Sequence, residues 1–103
     1  MFNDESDDNE TFLYKLERES EVQKLIAHLK RSRKNYVRRR AATMLGNIAE
    51  ISNPNERRQA VKALVSAVKT DEDDSVRAAA IDALYQRGEE AFDYLVAELA
   101  EME

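Results

Sequence analysis

The chain has 103 residues, 36% of them charged and 43% hydrophobic, with a formal net charge of −5. That suits a single small soluble domain with a usable but marginal core. The absence of cysteine excludes disulfides, thiolate zinc sites and cysteine nucleophiles, and two glycines with one proline serve strand-and-turn architectures poorly. No apolar run approaches the roughly 18 residues of a membrane span, and the acidic, polar start is unlike a secretory signal, so a cytoplasmic protein is expected.

Residues 1–9 are acidic, with Met1 and Phe2 as the only apolar groups, and read as a disordered tail ahead of a domain over 10–103. Phe12, Leu13 and Leu16 suggest a short first helix. Ser20 and Gln23 stand at capping-box spacing, and Val22, Leu25, Ile26 and Leu29 follow at helical period. That helix is expected to end near Arg31, where basic residues suit the negative end of the helix dipole. Val37, Ala41, Met44, Leu45 and Ile48 mark the next helix, expected to run to about Ile51. Asn53, Pro54 and Glu56 read as N-cap, first helical position and third helical position. The buried stripe of the helix that follows is Val61, Leu64, Val65 and Val68. Asp73 is the expected N-cap of a helix carrying Val76, Ala80, Ile81 and Leu84, which Gly88 stops. A last helix carries Phe92, Leu95, Val96 and Leu99.

These helices repeat. Val37-Arg38-Arg39-Arg40-Ala41-Ala42-Thr43-Met44-Leu45 matches Val76-Arg77-Ala78-Ala79-Ala80-Ile81-Asp82-Ala83-Leu84 at an offset of 39 residues. The same offset places Val22, Leu25, Ile26 and Leu29 on Val61, Leu64, Val65 and Val68, so the register spans a whole helix pair. A third copy starts at the shorter offset of 31 residues, with Phe92, Leu95, Val96 and Leu99 in the same places. Its second helix is missing, so it reads as a C-terminal cap, the front of a longer solenoid, or a site of self-association.

Helix pairs whose second helix opens with Val-Arg and continues through Ala-Ala to Leu-Gly resemble HEAT-like repeats of the phycobilisome-lyase type, over about residues 20–102. The resemblance implies an all-α fold, a short right-handed α-solenoid of antiparallel helix pairs with about two and a half HEAT-like repeats. In such a stack neighbouring pairs bury each other's stripes, and small residues such as Ala41, Ala42, Ala79 and Ala80 allow close helix approach. Families of this kind pair the Arg after Val with acids or carbonyls of the inter-helix turn, which implies a structural part for Arg38 and Arg77. Lys34 departs from the usual Asp or Asn N-cap. Repeat one is therefore expected to have a looser turn, or one capped by Ser32 or Asn35.

Chemistry is sparse. His28 is the single histidine and lies off the apolar stripe of its helix, so it is expected to face solvent without a role. No conventional zinc site, no Ser-His-acid elbow and no Gly-rich phosphate loop can be assembled. The iron-binding His-Glu pairs of HEAT-like hydroxylases are missing, and nothing supports carrying over chromophore-lyase activity. No enzyme and no cofactor are expected.

A binding scaffold or adaptor for a protein partner remains. Second helices commonly line one face of such stacks. Here that face would hold Tyr36, Arg39, Arg40, Thr43 and Asn47, then Asp82, Tyr85 and Gln86, and tyrosine and arginine are the usual anchors of interfaces. The alternative partner is nucleic acid, through the acid-free basic cluster Lys30, Arg31, Arg33, Lys34, Arg39 and Arg40. The acidic tail could screen that cluster in cis.

Overall fold

The computed structural model describes residues 22–48, 51 and 53–101. The expected tail, the helix around Phe12 to Leu16 and the Ser20 half of the capping box lie outside the described residues. Five helices follow: α1 (Val22–Arg31), α2 (Asn35–Asn47), α3 (Pro54–Thr70), α4 (Asp74–Arg87) and α5 (Glu89–Glu101). No strand occurs among the described residues. α1 packs on α2 and α3 on α4, while α2 lies along α4 and α1 along α3. This is the stack of helix pairs that the repeat register requires.

Leu25, Val37, Leu45, Leu64, Val61 and Val76 reach zero exposure. Removing a large aliphatic side chain from water contributes about 1.5–3 kcal/mol, so these six residues, shared by four helices, contribute substantially to the cohesion of the stack. α2 and α4 approach each other closely. A Cβ added to Gly46 would stand 2.6 Å from Ala83 Cα, so the two helices meet backbone to backbone.

Three helix starts share one construction. Arg38, Arg57 and Arg77 each stand four residues after an N-cap, at Lys34, Asn53 and Asp73. Each donates from its guanidinium to the carbonyl two residues before that cap: Arg38 to Ser32 at 2.9 Å, Arg57 to Ile51 at 2.7 Å, Arg77 to Asp71 at 2.6 Å. Asn53 and Asp73 also accept amide hydrogens of the first turn, as N-caps should. Lys34 makes no such bond. In its place Ser32 Oγ accepts from the Lys34 amide at 3.2 Å, as Asp71 Oδ1 does from the Asp73 amide at 3.0 Å. Asn35 is engaged elsewhere, donating to the Asp73 carboxylate at 2.6 Å.

Several expectations need correction. α2 ends at Asn47, not near Ile51. The Ile48 backbone is extended at ψ 115°, which lets Ile48 and Ile51 both drop into the core. His28 does not face solvent; it is 1% exposed. α1 is contacted by both α2 and α3, so its buried arc is wider than one stripe. On α3 the buried positions are Ala60, Val61, Ala63, Leu64 and Ala67, with Val65 and Val68 only half-buried. Ile81 is exposed on α4, as are Phe92, Leu95, Val96 and Leu99 on α5. Gly88 does end α4, at a φ of +53° that glycine tolerates best. α5 begins at the next residue, which explains the shorter third offset. The anchor of α5 is thin: Ala91 is its one buried residue, and Arg58 lies 5.9 Å from the Tyr94 ring centroid. A cap of the stack would turn its apolar stripe inward, and α5 does not.

Candidate functional site

The α2 residues expected to bind a partner share one arc of the helix. Tyr36, Arg39 and Asn47 are exposed, and Arg40 and Thr43 are half-buried. Thr43 bonds back to the Arg39 carbonyl, and Arg39 reaches across to Ser75 Oγ of α4 at 3.3 Å. On α4, Asp82, Tyr85 and Gln86 are all exposed. By the 39-residue register, Asp82 and Gln86 stand where Thr43 and Asn47 do, so they continue the same strip. Tyr85 stands where Gly46 does, at the edge of the strip and on the side where helices stack.

What ties this strip together is a ladder of polar contacts at its two ends, from the start of α2 to the turn before α4 and from α4 back to the end of α2. At one end Arg38 grips Asp71 with two bonds, Nε to Oδ2 at 2.9 Å and Nη2 to Oδ1 at 3.1 Å, both side chains about nine-tenths buried. The hydrogen bond to Asp71 raises the Arg38 pKa, so the guanidinium stays charged. Beside it, hydrogen bonds from the Ser75 hydroxyl and the Asn35 amide hold the Asp73 carboxyl far below the usual carboxylate range. At the other end Arg87, 7% exposed, donates to the Leu45 carbonyl at 2.6 Å and to Glu90 at 2.9 Å. Arg38 and Arg77 thus bind turn groups, as the resemblance implied. Asp71, Arg57 and Arg87 were missed, although the spacing from N-cap to Arg at the three helix starts was readable.

Acidic side chains border the basic cluster. Arg38 is consumed by Asp71. Arg33, Lys34 and Tyr36 border a depression that also contains Glu72 and Asp73. Lys30, Arg31 and Arg33 are exposed and Lys34 half-buried. A second depression, of about 390 Å³, is lined by Lys30, Arg38, Ser66, Thr70 and Asp71 among others; its one buried ion pair is already satisfied. Among the described residues no group of three or more His, Asp and Glu is placed to hold a metal ion. None of the described helices is long and apolar enough to cross a membrane.

Comparison with known proteins agrees with the geometry. The profile of HEAT repeats matches residues 22–102. A HEAT repeat-containing taxis protein of Halobacterium salinarum is 51% identical over 84 residues, which is 82% of this chain and 19% of that protein. The chain therefore spans about a fifth of the length of this relative. No solved structure matches. Repeated turns, helix pairs in register and the matched profile lead to one statement of kinship: the chain belongs to the HEAT repeat family.

Proposed function

We propose that this chain is a non-catalytic protein-binding scaffold of a taxis system, and that its partner docks on the strip of second helices. HEAT repeats generally serve as protein-interaction scaffolds, and the high identity to a taxis protein carries the cellular context. The observation that carries the site is the α2–α4 ladder. Tyr36, Arg39, Asn47, Asp82 and Gln86 lie on two helices tied at one end through Arg38 and the turn residue Asp71 and at the other through Arg87 and Leu45, which supports this reading. Rigid presentation lowers the entropy lost on docking, and a mixed-charge strip with a tyrosine favours a polar protein surface with some aromatic contact.

A polyanion partner on Lys30, Arg31, Arg33, Lys34, Arg39 and Arg40 lacks comparable support. Glu72 and Asp73 lie inside that patch, and they would repel the phosphates it should track.

The experiment is affinity capture from the native source with wild type and with Tyr36→Ala, Arg39→Ala and Asp82→Ala. These exposed positions should change folding stability by less than about 0.5 kcal/mol. Loss of the same partner from all three supports the strip. Retention of every partner by a triple variant moves the site elsewhere. A salt-sensitive shift of labelled RNA or DNA, unaffected by Asp82→Ala and lost with Lys30→Ala and Arg33→Ala, would instead favour nucleic acid.

A further inference from the structure

We infer that the outer face of α4 and α5 is a second docking surface, built for one partner α-helix. That helix lies parallel to α4 and antiparallel to α5, carries lysine or arginine on its flanks, and places a carboxylate at its N-terminal turn.

The repeat register locates the surface. Ala42 and Gly46 are the α2 positions that α4 covers; Ala42 is fully buried, and a Cβ on Gly46 would meet Ala83. The same positions of α4 are Ile81 and Tyr85, and both are bare, Tyr85 at 84% exposed. On α5, Phe92, Leu95, Val96 and Leu99 occupy the places of the α3 stripe and are also bare. In the second helix pair α3 packs on α4, with Val61 and Leu64 of that stripe fully buried and Val65 and Val68 half-buried. One helix in the position of a further second helix would therefore meet both bare sets at once.

Arg77 marks where its N-terminus goes. Arg38, its equivalent, forks onto Asp71 in the turn of the next repeat. Among the described residues Arg77 has no such acid in a neighbouring turn. It holds its own turn carbonyl and pairs with Asp74 of its own helix, at 37% exposure against 11% for Arg38. A carboxylate at the start of the incoming helix would restore the fork.

Charge and size define the occupant further. α5 contains no lysine or arginine, and Glu89, Asp93, Glu98 and Glu101 are exposed. Two copies of this face would set acid against acid, so a basic-flanked helix is favoured over a second copy. Tyr85 and Ile81 stand where α2 offers glycine and alanine, so a helix cannot approach α4 as closely as α4 approaches α2. The partner needs a glycine-sized gap opposite Tyr85. Aromatic side chains bury about 150–250 Å² each. With four aliphatic neighbours the patch offers roughly 600 Å², near the about 800 Å² per side of a stable interface.

The probe is a fluorescein-labelled peptide of residues 71–87 of this chain carrying Asp82→Lys, Ala83→Gly and Gln86→Lys, held helical by a hydrocarbon staple on its solvent side. It is titrated with the full chain by anisotropy. Saturable binding is expected, weakened at least tenfold by Leu95→Glu in the full chain with its circular dichroism unchanged. Reverting the peptide glycine to alanine should weaken binding several-fold. Arg77→Gln should abolish the difference between peptides with aspartate and asparagine at position 71. Absence of saturation, or binding indifferent to Leu95→Glu, overturns the inference. So does a concentration-dependent dimer in sedimentation velocity that Leu95→Glu dissolves, which would assign the face to a second copy. Neither result bears on the strip of second helices, whose residues tested above lie outside this face.

Discussion

Gly46→Ala pits helix propensity against packing, and the two predict opposite signs. Inside a helix, replacing glycine by alanine is favourable by about 0.8–1 kcal/mol. At Gly46 the new Cβ would stand 2.6 Å from Ala83 Cα, 2.7 Å from its Cβ and 3.2 Å from its carbonyl oxygen. These are mainly backbone atoms, so no rotamer change relieves them, and α2 and α4 must separate. Overpacking costs about 1–3 kcal/mol; with the backbone as the obstacle the upper figure applies. The net expectation is a loss of about 2 kcal/mol. For a domain of this size that lowers the midpoint of thermal unfolding by about 8–16 °C. Urea unfolding followed by circular dichroism measures it, with Gly46→Ala/Ala83→Gly as a partial rescue that removes one of the clashing atoms. If Gly46→Ala is as stable as wild type or more so, propensity has won. The backbone contact between α2 and α4 would then be wrong.

Arg38→Met strips Asp71 of its two-bond partner in a site about nine-tenths buried. It should cost about 3 kcal/mol, with Asp71→Ala in the same background adding far less than it costs alone; a urea double-mutant cycle measures both. Arg87→Met leaves the Leu45 carbonyl without its donor and should cost about 1–3 kcal/mol by the same method. Asp73 has a folded pKa below its unfolded value, so its contribution is complete above the ordinary aspartate range. It fades as pH falls below about 4 and the unfolded chain takes up the proton first. Asp73→Asn keeps an acceptor for the α4 amides but cannot titrate. The acid limb of its stability curve should be shallower than that of wild type, and parallel limbs would sink the assignment.

Much of the architecture was legible because helix-forming periodicity and the repeat offset speak to the same residues. Val37 and Val76 are both at zero exposure, and Asn53 and Asp73 cap the helices they were expected to cap. The errors have a common physical origin. A helical wheel assumes one buried stripe, but a helix in a stack meets two neighbours, which is why His28 is inside. The same reasoning applied to α4 placed Ile81 with the core. Ile81 faces the direction of stacking, and burial there depends on whether another helix follows. The periodicity of Phe92, Leu95, Val96 and Leu99 makes α5 amphipathic, yet amphipathicity reports a tendency to be covered and not the presence of a cover. The ladder residues Asp71 and Arg87 were invisible for another reason: their partners lie 33 and 42 positions away, and no local pattern encodes that pairing.

The three arginines at helix starts explain how so small a stack keeps its register. A cation in the first turn sits at the wrong end of the helix dipole, so its recurrence at Arg38, Arg57 and Arg77 requires a specific local return. That return is the carbonyl two residues before each N-cap, a group that leaves the regular hydrogen-bond ladder and would otherwise need water. Holding it fixes the angle at which the chain enters the helix. Arg38 does more, because its remaining donors reach Asp71 in the next turn, and the entry angle of α2 becomes the spacing between α2 and α4. That spacing is what Gly46 and Ala83 need for their backbone contact at the far end. The turn and the glycine are therefore two ends of one constraint. Loosening either should splay the strip that carries Tyr36, Arg39 and Asp82 before it unfolds the helices themselves.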